Sequence, residues 1–227
     1  MELMVVVVLV AILAALAAPS LVRARNDRVA FDYARRASDL VHAARTRAMG
    51  TGAAHVLVYT NETTMGGNRG ALILFEALDG EPAPAGPNPH PSCRTAALGW
   101  VGGWTPGNLA NSRARFIDAV NVNDDGSGKS AQAKEEIWMS ASKAVGLAAP
   151  TVIPAFAVCV TPNGTTYYGE GGNQAAAVAA IATASPFNDI LELEVARHDG
   201  PPPSGTVVGL KRKVIMAGAA QPRIKSE

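Results

Sequence analysis

From Leu3 to Ala18 the chain carries no polar residue. The run Leu3-Met4-Val5-Val6-Val7-Val8-Leu9-Val10-Ala11-Ile12-Leu13-Ala14-Ala15-Leu16-Ala17-Ala18 predicts a helix, and one that is apolar all round must be buried or lie in lipid. Its sixteen residues rise about 24 Å at 1.5 Å each, a little short of the roughly 30 Å hydrocarbon core of a bilayer. A signal peptide needs a basic start, but no Lys or Arg precedes the run and the charge present is the carboxylate of Glu2. A core helix this apolar is unusual. The remaining reading is a membrane anchor over 1–19 whose one carboxylate has a function, since a charge so placed costs on the order of 3 kcal/mol.

Pro19 falls inside the helical pattern, where proline removes a backbone bond and bends or breaks a helix. An amphipathic stem over 20–50 follows. Val22, Val29, Tyr33, Ala37, Leu40, Val41, Ala44 and Ala48 recur at three- and four-residue steps, one apolar stripe. Gly50 and Gly52 supply the stop.

Glu2-Leu3-Met4-Val5-Val6-Val7, the aliphatic run and Pro19-Ser20 ahead of an amphipathic stem resemble the N-terminus of type IV pilins and pseudopilins. Ser38-Asp39-Leu40-Val41-His42-Ala43-Ala44-Arg45-Thr46-Arg47-Ala48 is similar to the stem of the GspH/FimT branch. The resemblance implies a few residues and a short basic leader ahead of Glu2, removed and the new end methylated by a leader peptidase. It also implies an inner-membrane, single-pass chain with its globular domain in the periplasm. Arg23, Arg25 and Arg28 alone give the opposite orientation by the positive-inside rule.

The 227 residues allow one domain plus an anchor, or at most two small domains. A net charge of +1 excludes a global field drawing the chain to nucleic acid. Cys93 and Cys159 fit no zinc spacing. They are either bridged, as outside the cytoplasm, or two buried thiols.

After Gly52 the pattern is one of strands: 55–59, 71–75, 113–122, 155–160, 165–168, 190–197 and 206–216, with 135–139 a short strand or helix turn and 175–184 helical or loose. Pro162-Asn163-Gly164 is a hairpin turn. The expected fold is α+β and pilin-like: a long N-terminal helix, anchor plus stem, packed on a mostly antiparallel sheet domain over 51–227. Residues 76–150 read as an insertion that the family pattern does not explain.

No motif in the chain assembles an active site, and the reading is a non-enzyme without cofactor. Gly126-Ser127-Gly128-Lys129-Ser130 ends like a phosphate-binding loop, but position 123 is Asn where that loop needs Gly. Asn121, Asn123 and Asp125 alternate as in a calcium loop, but the closing acid position holds Gln132, and Glu135 and Glu136 are off register. His42, His55, His90 and His198 form no ligand pair, and Trp100 and Trp104, which bracket Gly102-Gly103, read as core residues or, alternatively, as a contact surface.

Two functions follow. The first is a minor pseudopilin of a type II secretion pseudopilus, assembling with other pilin-like subunits through its N-terminal helix and facing a secreted protein substrate. Glu2 would pair with a neighbour's N-terminal amine, each charge offsetting the other's burial. The alternative is a FimT-like minor pilin of a type IV pilus that binds DNA for transformation through Lys211, Arg212, Lys213, Arg223 and Lys225. The Gly-Arg-x-Arg signature of such tails is missing here; the chain reads Gly209-Leu210-Lys211-Arg212.

Overall fold

The computed structural model describes residues 2–61, 69–78, 88–93, 114–122, 137–144, 151–200, 205–218 and 221–227. Up to residue 26 it describes only the side chains of 4, 6, 7, 9–13, 15 and 16. Helix α1 (Glu2–Thr51) leads into strands β1 (His55–Thr60), β2 (Ala71–Ala77), β3 (Ala114–Asn121), β4 (Ile137–Ala144), β5 (Thr151–Ile153), β6 (Ala155–Val160) and β7 (Thr166–Gly171). Helix α2 (Gln174–Ala180), β8 (Ile190–Arg197), β9 (Arg212–Ala217) and β10 (Arg223–Ser226) complete the order.

The strands form two five-stranded sheets, β3-β2-β1-β6-β7 and β10-β9-β8-β4-β5. Every pairing between them is antiparallel. In the first sheet β1, β2 and β6 are buried at every residue. Leu57, Tyr59, Leu72, Leu74, Phe156 and Val158 face α1 and the second sheet. Val56, Val58, Ile73 and Phe75 pack with Val178 and Ile181 behind them. A sheet covered on both faces reads in sequence as an unbroken apolar run. Gly169 and Gly171 let α2 lie directly on β7: a Cβ on Gly169 would run into the Ala177 carbonyl oxygen, and one on Gly171 would come within 2.6 Å of Ala176 Cβ.

The second sheet has one covered face, so β8 alternates: Leu191, Leu193 and Val195 point inward and Glu192 and Glu194 outward. Pro154 separates β5 from β6 and the chain changes sheets there. Tyr59 on β1 donates its hydroxyl to the Met139 carbonyl on β4 at 2.8 Å, tying the sheets through the core. Met139 N–H donates to Arg69 O at 2.7 Å. Beside it Gly70 has φ +98°, and a Cβ there would come within 2.9 Å of Met139 Cβ.

Cys93 and Cys159 are bridged, with Cα atoms 5.9 Å apart and a sequence separation of 66. Closing a loop of that length contributes about 4 kcal/mol on the chain-entropy account.

Two expectations are corrected. The α+β, pilin-like fold, with a long helix against one sheet, gives way to a mostly antiparallel β structure in which ten described strands make two sheets. The sequence pattern could not show this, because which strands share a sheet is set by pairings between residues far apart in the chain. Second, no helix among the described residues is long and apolar enough to cross a membrane. The apolar run of α1 stops at Pro19, and arginines follow at 23, 25 and 28. The inner-membrane, single-pass, periplasmic placement and the transmembrane segment over 1–19 are corrected with it. Helix α1 runs continuously from Glu2 to Thr51 with Pro19 inside it. One proline removes one N–H from the ladder, and the turns on both sides carry the helix on.

Smaller differences have local causes. The expected strand over 206–216 is interrupted at Gly209, φ +86°, and only β9 is regular. The tail forms β10, which its charge and Pro222 concealed.

Candidate assembly surface and basic tail

The N-terminal half of α1 presents Met4, Val6, Val7, Leu9, Val10, Ile12, Leu13 and Leu16 to solvent at 51–78% exposure. From Ala30 to Ala48 one face of the same helix is covered. Ala30, Ala34, Ala37, Ala44 and Ala48 are buried with Tyr33, Leu40 and Val41. A contiguous exposed apolar surface of this kind marks an interaction site. Glu2 is the first residue of α1.

Arg45 holds the covered half in place. Its guanidinium donates to the Ala217 carbonyl at 3.4 Å and to that of Gly218, which also accepts from the Thr166 hydroxyl at 3.2 Å. One carbonyl thus joins α1, β7 and the end of β9. Burial pushes the Arg45 pKa down.

The structure brings the five basic tail residues onto two adjacent strands and the segment before them. Lys213 faces Lys225 across the β9–β10 pair. Glu227 lies between them, 2.9 Å from Lys213 Nζ and 2.6 Å from Lys225 Nζ. Lys213 also meets Glu192 at 3.2 Å, and Lys211 meets Glu194 at 3.2 Å. Hydrogen bonds from Lys225 and Lys213 hold the Glu227 carboxyl down at about 2. The bond to Glu227 raises the Lys213 pKa, with Glu192 adding to it. Arg212 points the other way, its guanidinium 5.6 Å over the Phe31 ring and donating to the Ser226 hydroxyl. Arg223 is exposed and has no ion-pair partner among the described residues.

Glu192 and Glu194 escaped the sequence reading as tail partners. The signal was there in Leu191-Glu192-Leu193-Glu194 and Lys211-Arg212-Lys213, two alternating patterns of opposite charge. A second missed group sits past the end of α1. His55 is fully buried, its Nδ1 3.2 Å from the Ala53 carbonyl. It faces Glu76 across β1–β2, and Glu76 pairs with Arg115 at 3.2 Å.

No group of three His, Cys, Asp or Glu among the described residues could hold a metal ion. The phosphate-loop and calcium-loop motifs over 123–136 and the tryptophans Trp100 and Trp104 lie outside the described residues; Asn121 ends β3. No protein-family model, curated protein or solved structure matches the chain.

Proposed function

We propose that the chain is a structural subunit, of the minor pseudopilin kind its sequence resembles, that joins like subunits through the N-terminal half of α1. One observation carries this reading: eight large apolar side chains stand exposed on one helical segment, while one face of the helix from Ala30 to Ala48 is buried against its own domain. Burying an exposed aliphatic side chain is worth about 1.5–3 kcal/mol, so a helix of the same kind laid alongside is strongly favoured.

The test is sedimentation of the full chain as non-ionic detergent is withdrawn. Wild type forms large assemblies. The variant Leu9→Gln/Leu13→Gln/Leu16→Gln stays dispersed and keeps the thermal midpoint of its domain. Equal assembly by the triple variant would overturn the reading. DNA uptake through the tail draws less support, because Lys211, Lys213 and Lys225 are already engaged by carboxylates and phosphate would have to displace them.

A further inference from the structure

An outer strand of a sheet offers unpaired peptide groups to another chain, and proteins usually guard such edges. Three of the four edges here are guarded. Beside β7, Phe187 N–H donates to Thr166 O at 2.8 Å and Pro186 bridges Tyr167. On β3 the register shifts opposite Leu74/Phe75, and the Asp118 carboxylate takes the N–H of Ala119 at 2.8 Å. Strand β5 is three residues long and runs into Pro154, which has no N–H.

Strand β10 is the fourth edge, and all its residues are exposed. Lys211 and Glu227 exchange both backbone bonds at 3.0 Å. Counting in steps of two along the antiparallel register, Lys225 and Arg223 also turn their peptide groups toward β9. The N–H and C=O groups of Ile224 and Ser226 therefore point outward, and no strand pairs with them among the described residues.

The sheet itself shows what a strand of this chemistry accepts. β9 carries Lys213 on its outer face and Val214 and Met216 on its inner face, where Arg212 at the strand's start lies over Phe31. Its partner β8 answers with Glu192 and Glu194 outside and Leu193 opposite Val214 inside. β10 repeats the basic pattern. Arg223 and Lys225 lie on the outer face with Lys213, and Ile224 lies on the Val214 face. On that inner side Ile224 and Phe31 keep 37% and 38% exposure.

We propose that the β10 edge is a docking site for an extended peptide segment of a partner protein with alternating acidic and apolar residues, which adds as a sixth strand. A carboxylate of the segment meets Arg223, its apolar residues cover Ile224 and the exposed part of Phe31, and its backbone bonds to Ile224 and Ser226. This surface belongs to the domain and does not depend on assembly through α1.

The test is fluorescence anisotropy with the full chain in non-ionic detergent and a labelled synthetic peptide of the β8 sequence, 190–197. A second peptide carries Lys in place of both glutamates. Wild type binds the acidic peptide saturably and the basic one weakly. Ile224→Pro removes one outward donor while leaving the bonds to β9, a position where an edge strand tolerates proline. It weakens binding about fivefold, the worth of one hydrogen bond, with the thermal midpoint unchanged. Arg223→Glu/Lys225→Glu reverses the preference to the basic peptide, and decides the matter should the proline variant not fold. Undiminished binding by a folded Ile224→Pro, or a preference that does not reverse, overturns the proposal. So does double-stranded DNA that displaces the peptide and binds Ile224→Pro as it binds wild type, because recognition would then rest on charge alone.

Discussion

The two halves of α1 differ in residue size and in what covers them. At Met4, Val6, Val7, Leu9, Val10, Ile12, Leu13 and Leu16 the helix carries large aliphatic side chains exposed to solvent. From Ala30 to Ala48 it carries alanine at most of its contact positions, with Tyr33, Leu40 and Val41 between, and these are buried. Small residues let two sheets come close to the helix axis, and the larger side chains beside them fill what remains. The large aliphatic side chains of the first segment are not buried by the described residues of the domain. Apolar content alone therefore does not say where a core lies; the fit to neighbouring elements does.

That contrast is broken most directly by one leucine from each half. Leu40→Ala leaves a cavity under both sheets and should cost about 2–5 kcal/mol. Leu13→Ala should change domain stability by less than about 0.5 kcal/mol, as surface substitutions do, while weakening association. Thermal unfolding in detergent measures the first effect and sedimentation the second. Equal destabilisation by the two would mean that the N-terminal half is part of the folded core.

The cover over the second half depends on the two sheets being held together. Tyr59→Phe removes the hydroxyl that reaches Met139 O and leaves a buried carbonyl short of a partner, at a cost of about 1–2 kcal/mol. Stacking of the ring with Phe156 at 5.3 Å survives the change. Denaturant titration should show a lower midpoint at unchanged slope. A lower slope would show that the sheets separate before the domain unfolds.

Arg45→Met should cost less, roughly 1 kcal/mol, because the Gly218 carbonyl keeps its bond from Thr166. Combined with Thr166→Val, the loss should exceed the sum of the two single changes, since only the double variant leaves that carbonyl bare. A strictly additive pair would show that the two donors do not share the acceptor.

What the sequence displayed and what it hid follow from the range of each interaction. The helix stripe and strands such as 55–59 and 155–160 depend on near neighbours in the chain, so their periodicity shows. The pairing of β4 with β8, or of Tyr59 with Met139, joins residues far apart in sequence, and no local pattern encodes it. The tail residues were visible as charges. Their engagement by Glu192 and Glu194 was not, because β8 and the tail meet only in the folded sheet. The cysteines were open between bridged and free, and only the fold brings them together.

The smallest effect concerns His55, immediately beyond the covered end of α1. Burial pushes its pKa below the ordinary 6.5, the Ala53 carbonyl and Glu76 oppose this, and Arg47 and Arg115 add to it. Its Nε2 has no hydrogen-bond partner among the described residues. The folded protein therefore takes up this proton less readily than the unfolded chain. Above pH 6.5 neither state holds it, and stability is unaffected. As pH falls below that value the unfolded chain binds the proton first, so stability drops. The drop levels off once the folded state is protonated too. Denaturant midpoints at pH 7.5, 6.5 and 5.5 should show this acid-side decline in wild type and a weaker one in His55→Gln. Glu76→Gln removes the opposing carboxylate and should steepen or extend it. A decline unchanged in His55→Gln would assign it to other groups, and would leave the covered end of α1 insensitive to protons.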